Sequence, residues 1–292
     1  MLIPCYPEFA PISFEMQRPI QDQLRKTQDG VSEYTFANLY LFRKRYDYQV
    51  CLSRDGDLLI SGERDGHRFF MTPRALPDRE TLASLFAGRD YWKNIPDSIL
   101  AGNEERLAEW GVELSEDRDN FDYLYLRTEL AELSGKKFHK KRNLVNAFLN
   151  AYTYEVKPLD AGLASDALKV LERWHRDKGD EGDYVASREV LEHFDDFGMQ
   201  GAMYYINGRP AGWCLGESLV GGSMFAIHFE KGIDEYKGIY QFINQAFAAS
   251  LPETCIHINR EQDLGNEGLR QAKMTYRPVG FVRKRIGRLK GL

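Results

Sequence analysis

The 292 residues carry 39 Lys and Arg against 44 Asp and Glu, a formal net charge of −5, which argues against capture of nucleic acid by an overall field and makes any anion binding local. With 43% hydrophobic and 28% charged residues, the composition is that of a globular chain and excludes disordered and fibrous classes. Single cores stop growing at about 250–300 residues, so this length predicts two units.

No apolar run approaches the roughly 20 residues of a membrane span. The opening Met1-Leu2-Ile3-Pro4-Cys5 lacks a charged stretch followed by a long apolar one, and this reading predicts a cytoplasmic protein. Cys5, Cys51, Cys214 and Cys255 are far apart and form no CxxC pair, so they read as reduced thiols, the last three in strand-like apolar stretches.

In chain order, Tyr34 to Arg43 reads as an aromatic helix. Residues 47–73 alternate apolar and polar and are broken by Asp55-Gly56 and Asp65-Gly66, which predicts an antiparallel meander. Short helices follow at Arg79 to Gly88 and Glu104 to Trp110, then a strand at Asp122 to Arg127. From Gly135 to Asn150 the pattern is helical, with Phe138, Leu144, Val145, Phe148 and Leu149 on one face. A strand is expected at Tyr152 to Lys157, a helix from Leu163 to Lys178 stopped by Gly179, and a helix near Ser187 to Phe197. Three antiparallel strands come next, Met203 to Ile206, Ala211 to Glu217 and Ser223 to Glu230. A helix at Gly238 to Ala249, a strand at Thr254 to Ile258, a helix at Glu267 to Met274 and a strand at Val279 to Ile286 complete the order.

Polar chemistry concentrates in the second half. The run Lys136, Lys137, Lys140, Lys141 and Arg142, with Asn143, places five cations in the opening turns of a helix. That end is already the positive pole of the helix dipole, so a bound anion would relieve the conflict, as would acids such as Glu129 and Glu132. On Phe225 to Lys231 the period of two sends His228 and Glu230 to one side, where they could act as an acid/base pair or hold an amine. The stretch Asn259, Arg260, Glu261, Gln262, Asp263, Leu264, Gly265 leaves a strand and enters a helix, the place where α/β folds converge polar groups on a cleft. Glu230, Glu261 and Asp263 are candidates for a base or an ammonium anchor, and Asn259 and Arg260 for polarising a carbonyl. His228, Glu230, Asn259 and Glu261 are expected to line one pocket. Six histidines without metal-ligand spacing argue against a metal site, and no GxSxG, Walker or GxGxxG pattern occurs.

The order of elements in the second half resembles the GNAT acyltransferase superfamily. There, a Q/R-x-x-G-x-G/A loop receives the pyrophosphate of the acyl donor. The matching stretch here is Glu235-Tyr236-Lys237-Gly238-Ile239-Tyr240, with one glycine kept, which argues against acyl-coenzyme A and leaves Lys237 and Gly238 as donor-binding candidates. SEYTFANLYLFR, LSGKKFHKKRN, HFEKG…YKGIYQFINQAF and INREQDLGNEGLRQAKMTY together resemble the C-terminal region of the bacterial phosphatidylglycerol lysyltransferases, which is similar to the Fem peptidyltransferases. The resemblance implies an α/β (α+β) fold of two tandem GNAT-like units, each a mostly antiparallel sheet flanked by helices, at residues 1–130 and 131–292. It also implies an acyl- or aminoacyl-transferase with aminoacyl-tRNA as donor and a small-molecule, peptide or lipid-headgroup acceptor. A ligand-binding module without turnover, or RNA binding through the basic helix and Arg283-Lys284-Arg285, are the other readings.

Overall fold

Gly56 and Gly66, with φ of 81° and 79°, occupy the left-handed region that only glycine enters without strain. They fold the expected meander. Residues 2–179 and 182–291 are described in a computed structural model, which divides into two units. Unit 1 contains Met1–Asp122, Gln262–Gly265 and Phe281–Leu292; unit 2 contains Tyr123–Glu261 and Asn266–Gly280.

The first sheet runs Ala10–Pro11 (β1), Gln49–Leu52 (β2), Leu58–Arg64 (β3), His67–Met71 (β4), Tyr91–Pro96 (β5), Lys284–Leu289 (β14) and Val112–Glu116 (β6). In the second the order is Gly280–Val282 (β13), Asp122–Leu126 (β7), His257–Asn259 (β12), Met224–Gly232 (β11), Arg209–Leu219 (β10), Gln200–Ile206 (β9) and Tyr154–Pro158 (β8). Each sheet holds the same device: three antiparallel strands, a helix, and a strand parallel to the third. In unit 1 these are β2, β3, β4, helix Arg79–Ala87 and β5; in unit 2 they are β9, β10, β11, helix Ile239–Ser250 and β12. The fold is therefore mixed α/β with two mostly antiparallel sheets flanked by helices.

The division differs from the boundary expected at 130/131. The last strand, read as Val279 to Ile286, is two strands split at Arg283, and β14 inserts between β5 and β6 of unit 1. Charge explains the return. Lys284 is fully buried and its ammonium pairs with Glu33 and, at 2.7 Å, with Asp122. Ser32 N and Gln262 Nε2 donate to the same Asp122 carboxylate at 2.9 and 2.6 Å. Burial holds the Asp122 carboxyl above the usual range, whereas at Glu33 the lysines outweigh burial and hold it below. Because Lys284 is enclosed, Arg283-Lys284-Arg285 does not form the continuous basic patch that RNA binding there requires.

In unit 2 the 3.6-residue spacing predicts a stripe of Ile239, Phe242, Ile243, Ala246 and Phe247 on helix Ile239–Ser250; all but Ala246, which is half-buried, are buried, and Phe242 stacks on Phe148 at 4.5 Å. Burying one such ring contributes about 1.5–3 kcal/mol. Phe148 comes from helix His139–Ala151, where Val145 is also buried but Leu149 is exposed, contrary to expectation. Gly179, at φ 66°, ends helix Ala164–Lys178 as predicted. Cys51, Cys214 and Cys255 are buried free thiols, and Cys5 is exposed. Among the described residues, no helix is long and apolar enough to cross a membrane.

Candidate active site at the opening between two parallel strands

β11 and β12 pair in parallel over only three residues, Met224 with His257, Phe225 with Ile258 and Ala226 with Asn259. β11 then continues to Gly232 while β12 stops, so the sheet opens between them. The stop is local. Asn259 Oδ1 accepts from Glu261 N at 2.8 Å, an Asx-type turn, and Glu261 adopts the left-handed conformation at φ 56°. Lys273, on helix Glu267–Met274, donates to the carbonyl oxygens of Arg260 and Glu261 and fixes the loop.

His228 sits where the opening begins. In the β10–β11 register Leu215 faces Phe229 and Gly216 faces Ile227, so His228 is the extra residue of a bulge. A Cβ on Gly216 would lie 1.9 Å from the Ala226 carbonyl oxygen; only glycine allows the strands to close there. The His228 ring meets Glu261 Oε1 through Nδ1 at 2.7 Å and Glu217 Oε1 through Nε2 at 3.1 Å. Its side chain is 2% exposed and each carboxylate side chain 21%. Burial by itself lowers the imidazole pKa, but the two carboxylates override it and raise the value to about 10. His228 is therefore an imidazolium at neutral pH, with both ring nitrogens donating. With both nitrogens engaged by Glu261 and Glu217, the ring faces these carboxylates and not Glu230, its expected acid/base partner. What it does is hold two partly exposed carboxylates side by side.

Glu230 lies farther along β11. Its Oε2 is 2.8 Å from Arg260 Nη2, an ion pair without hydrogen-bond alignment, and that oxygen has no hydrogen-bond donor. Burial would lower the Arg260 pKa, but Glu230 outweighs it. Tyr125 and Tyr276 wall the pair, ring edge to ring face at 6.4 Å, and burial raises both hydroxyl pKa values. The Lys141 ammonium lies 4.1 Å over the Tyr276 ring, its pKa lowered by burial and by Arg260.

The structure thus brings together His228, Glu230, Arg260, Glu261 and Lys141, whereas Asn259, fully buried, shapes the turn. Asp263 is not part of the group. It is fully buried in unit 1, where it accepts from Gly265 N at 2.9 Å and pairs with Arg118 at 3.3 Å. The basic helix divides its cations. Lys137 pairs with Glu129 at 2.5 Å, and Arg142 donates to the carbonyl oxygens of Leu133 and Gly135, just beyond helix Arg127–Glu132. Arg142 thus serves the negative end of the preceding helix and Lys137 a carboxylate in that helix's first turn, so two of the five charges have partners outside their own helix. Lys136 and Lys140 are exposed, and Asn143 Nδ2 lies 3.4 Å from His139 Nε2. Lys237 is exposed; Gly238, at φ 92°, is required by packing, since a Cβ there would lie 2.7 Å from the Leu144 carbonyl oxygen.

Sequence reasoning missed Glu217, Lys273, Tyr125 and Tyr276. A glutamate inside the apolar run Trp213 to Leu219 was the available signal for the first. For the others the signal is three-dimensional.

The family described as phosphatidylglycerol lysyltransferase, C-terminal, matches residues 24–284. The chain belongs to that family. A curated relative, an uncharacterised protein of Mycoplasmoides gallisepticum, is 25% identical over 172 residues, 56% of this chain and 54% of that one, so the chain spans about half the length of the curated relative it matches. A crystal structure of a conserved protein of unknown function from Bacteroides thetaiotaomicron superposes with a TM-score of 0.87 at 30% identity, covering 97% of this chain and 99% of that one. L-PGS from Bacillus licheniformis gives 0.59 at 15% identity (87% and 91% covered), and FemX gives 0.59 at 9% (97% and 97%). A tandem GNAT protein from the clavulanic acid biosynthesis pathway gives 0.51 at 13% (96% and 97%). At 9 to 15% identity these last three likenesses are likenesses of fold.

Proposed function

We propose that the chain is an aminoacyltransferase that moves an amino acid from aminoacyl-tRNA to an amine or hydroxyl acceptor at the opening between β11 and β12. The observation that carries this reading is the pair of carboxylates, Glu217 and Glu261, set side by side on the buried His228 imidazolium. Two negative charges over one positive give the opening an acidic edge. An aminoacyl ester brings an α-ammonium with a pKa near ~7.7–8.0, and that charge fits the edge; an acyl thioester without an amine does not use it.

In the proposed chemistry the acceptor attacks the ester carbonyl, the tetrahedral intermediate collapses, and the tRNA 3′ hydroxyl leaves with a proton. Glu217 and Glu261 orient the α-ammonium. Glu230, whose Oε2 lacks a hydrogen-bond donor, takes the proton of the attacking group, and Arg260 offsets charge developing on the carbonyl oxygen. Lys136, Lys140 and Lys237, all exposed, contact tRNA phosphates. The packing of Gly238 against helix His139–Ala151 supports a donor other than acyl-coenzyme A, because the backbone of that glycine faces a helix. Family membership supports the transfer class, since the family is named for lysyl transfer to phosphatidylglycerol.

The test is incubation with tRNA charged with a mixture of labelled amino acids, together with phosphatidylglycerol vesicles, small amines or short peptides. Consumption of one aminoacyl-tRNA with label appearing in one acceptor class is expected. Donor hydrolysis at the spontaneous rate with every acceptor would reject the reading.

A further inference from the structure

Unit 1 repeats in outline the place where the unit 2 site opens, although there the parallel strand β5 runs on to Pro96 against β14 where β12 stops. In unit 2 the parallel pairing ends at Asn259; the next residue, Arg260, is a partly buried cation, and the one after, Glu261, is left-handed. In unit 1 the pairing of β4 with β5 ends at Phe70 with Trp92. The next residue is again a cation, Lys93, 4% exposed, and the one after, Asn94, is fully buried and left-handed at φ 53°. A left-handed asparagine inside a strand is uncommon, and such conformations gather at ligand-holding sites.

The two openings differ in charge. Arg260 has Glu230 at 2.8 Å. Among the described residues, Lys93 has no carboxylate within ion-pair distance; its ammonium faces rings instead, Tyr46 at 5.3 Å and Phe69 at 5.0 Å. Burial pushes its pKa down to about 8, with Glu33 opposing and Lys284 and Arg64 assisting. A buried ammonium that feels its carboxylate, Glu33, only from beyond ion-pair distance is costly. Two more polar atoms on these strands or next to them, Asn94 Oδ1 and Thr72 Oγ1, are buried with no hydrogen-bond partner. Tyr46 also lines a surface cleft of about 380 Å³, whose wall includes Lys44, Arg45 and Arg64. Of the three acids in that wall, Asp65 is paired with Arg64 at 3.3 Å and Glu63 with Arg68 at 3.7 Å. The volume is at the small end of the range for small-molecule sites, roughly 300–1,000 Å³.

We propose that unit 1 carries a second ligand site, reached through the cleft at Tyr46 and Arg64 and ending on Lys93, which takes a small oxyanion, a phosphate or a carboxylate. The oxyanion supplies the close counter-ion that Lys93 lacks, since Glu33 acts on it from beyond ion-pair distance and is paired with Lys284, and a flat ring attached to it lies on Tyr46. This site is independent of the transfer reading for unit 2.

The experiment is calorimetric titration of the full chain with inorganic phosphate, adenosine monophosphate and benzoate, alongside NMR titration of the lysine ammonium groups. At least one probe is expected to bind with a Kd below about 1 mM and to raise the Lys93 pKa. Phosphate with adenosine monophosphate points to a phosphate ligand, benzoate alone to a carboxylate. Lys93→Met weakens binding at least tenfold, or about 1.4 kcal/mol, whereas Glu261→Gln leaves it unchanged. Arg64→Gln, at a partly exposed position, is expected to weaken binding in the same direction and decides the matter if Lys93→Met does not fold. The site is overturned by absence of binding of all three probes at about 10 mM, or by full affinity in the variants.

Discussion

Replacing Glu261 by Gln removes one of the two carboxylates that keep His228 charged while preserving the shape of the side chain. The bond lost is charge-assisted and short, 2.7 Å, and bonds of that kind contribute about 1.5–3 kcal/mol. The glutamine oxygen still accepts from Nδ1, so about half of that remains, and at about 1.4 kcal/mol per pKa unit the His228 value falls by roughly 0.5–1 unit. The native value of about 10 lies above that of an unfolded histidine, near ~6.5. Hence the stabilisation from His228 is fully present below the unfolded value and is lost as pH rises through the folded one. In the variant that loss begins about half a unit to one unit lower. The assay is a pH titration of the imidazole ¹⁵N shifts in both proteins, with thermal melts at each pH. A native midpoint near the unfolded value, or an unchanged midpoint in the variant, would refute the argument that the two carboxylates clamp an imidazolium.

Gly238→Ala should lower the melting temperature far more than Gly56→Ala; both glycines are left-handed, but only at 238 would the new Cβ meet a backbone oxygen, at 2.7 Å, and differential scanning calorimetry of the two variants checks it. Lys284→Met leaves Glu33 and Asp122 buried without their cation, a change expected to cost about 3–5 kcal/mol in denaturant unfolding, with partial recovery at low pH where Asp122 protonates. Lys136→Glu combined with Lys140→Glu should weaken tRNA binding and flatten its salt dependence, as measured by filter binding at several salt concentrations. Unchanged affinity would leave the exposed cations of that helix as a solvated face.

Local signals account for what could be read in advance. The Asp-Gly turns set the meander, the 3.6-residue stripe set helix Ile239–Ser250, and Gly179 set a helix end, because each depends on a few adjacent residues. Strand β5 escaped detection because its core-facing and buried polar residues, Trp92, Lys93 and Asn94, break the alternation. The split of the last segment into β13 and β14 is set by partners more than 150 residues away, Lys284 with Asp122 among them. Near the opening, the period of two on one strand singled out Glu230, and position at a strand exit singled out Arg260 and Glu261, which the structure places beside it. The bulge that aims His228 at Glu217 was not legible in this way, because a bulge is a property of two strands in register. The expectation for Asp263 failed for a related reason: two residues after Glu261 the chain has passed into the other unit.

The most direct test of the central claim is single-turnover transfer from the aminoacyl-tRNA that the native protein consumes, compared among the native chain, Glu230→Gln and Glu217→Gln. Loss of a catalytic proton acceptor predicts a fall of about 100-fold or more in the rate for Glu230→Gln, and loss of an ammonium anchor predicts a weakened donor affinity for Glu217→Gln. Native rates and affinities in both variants would contradict the assignment of this opening as the transfer site.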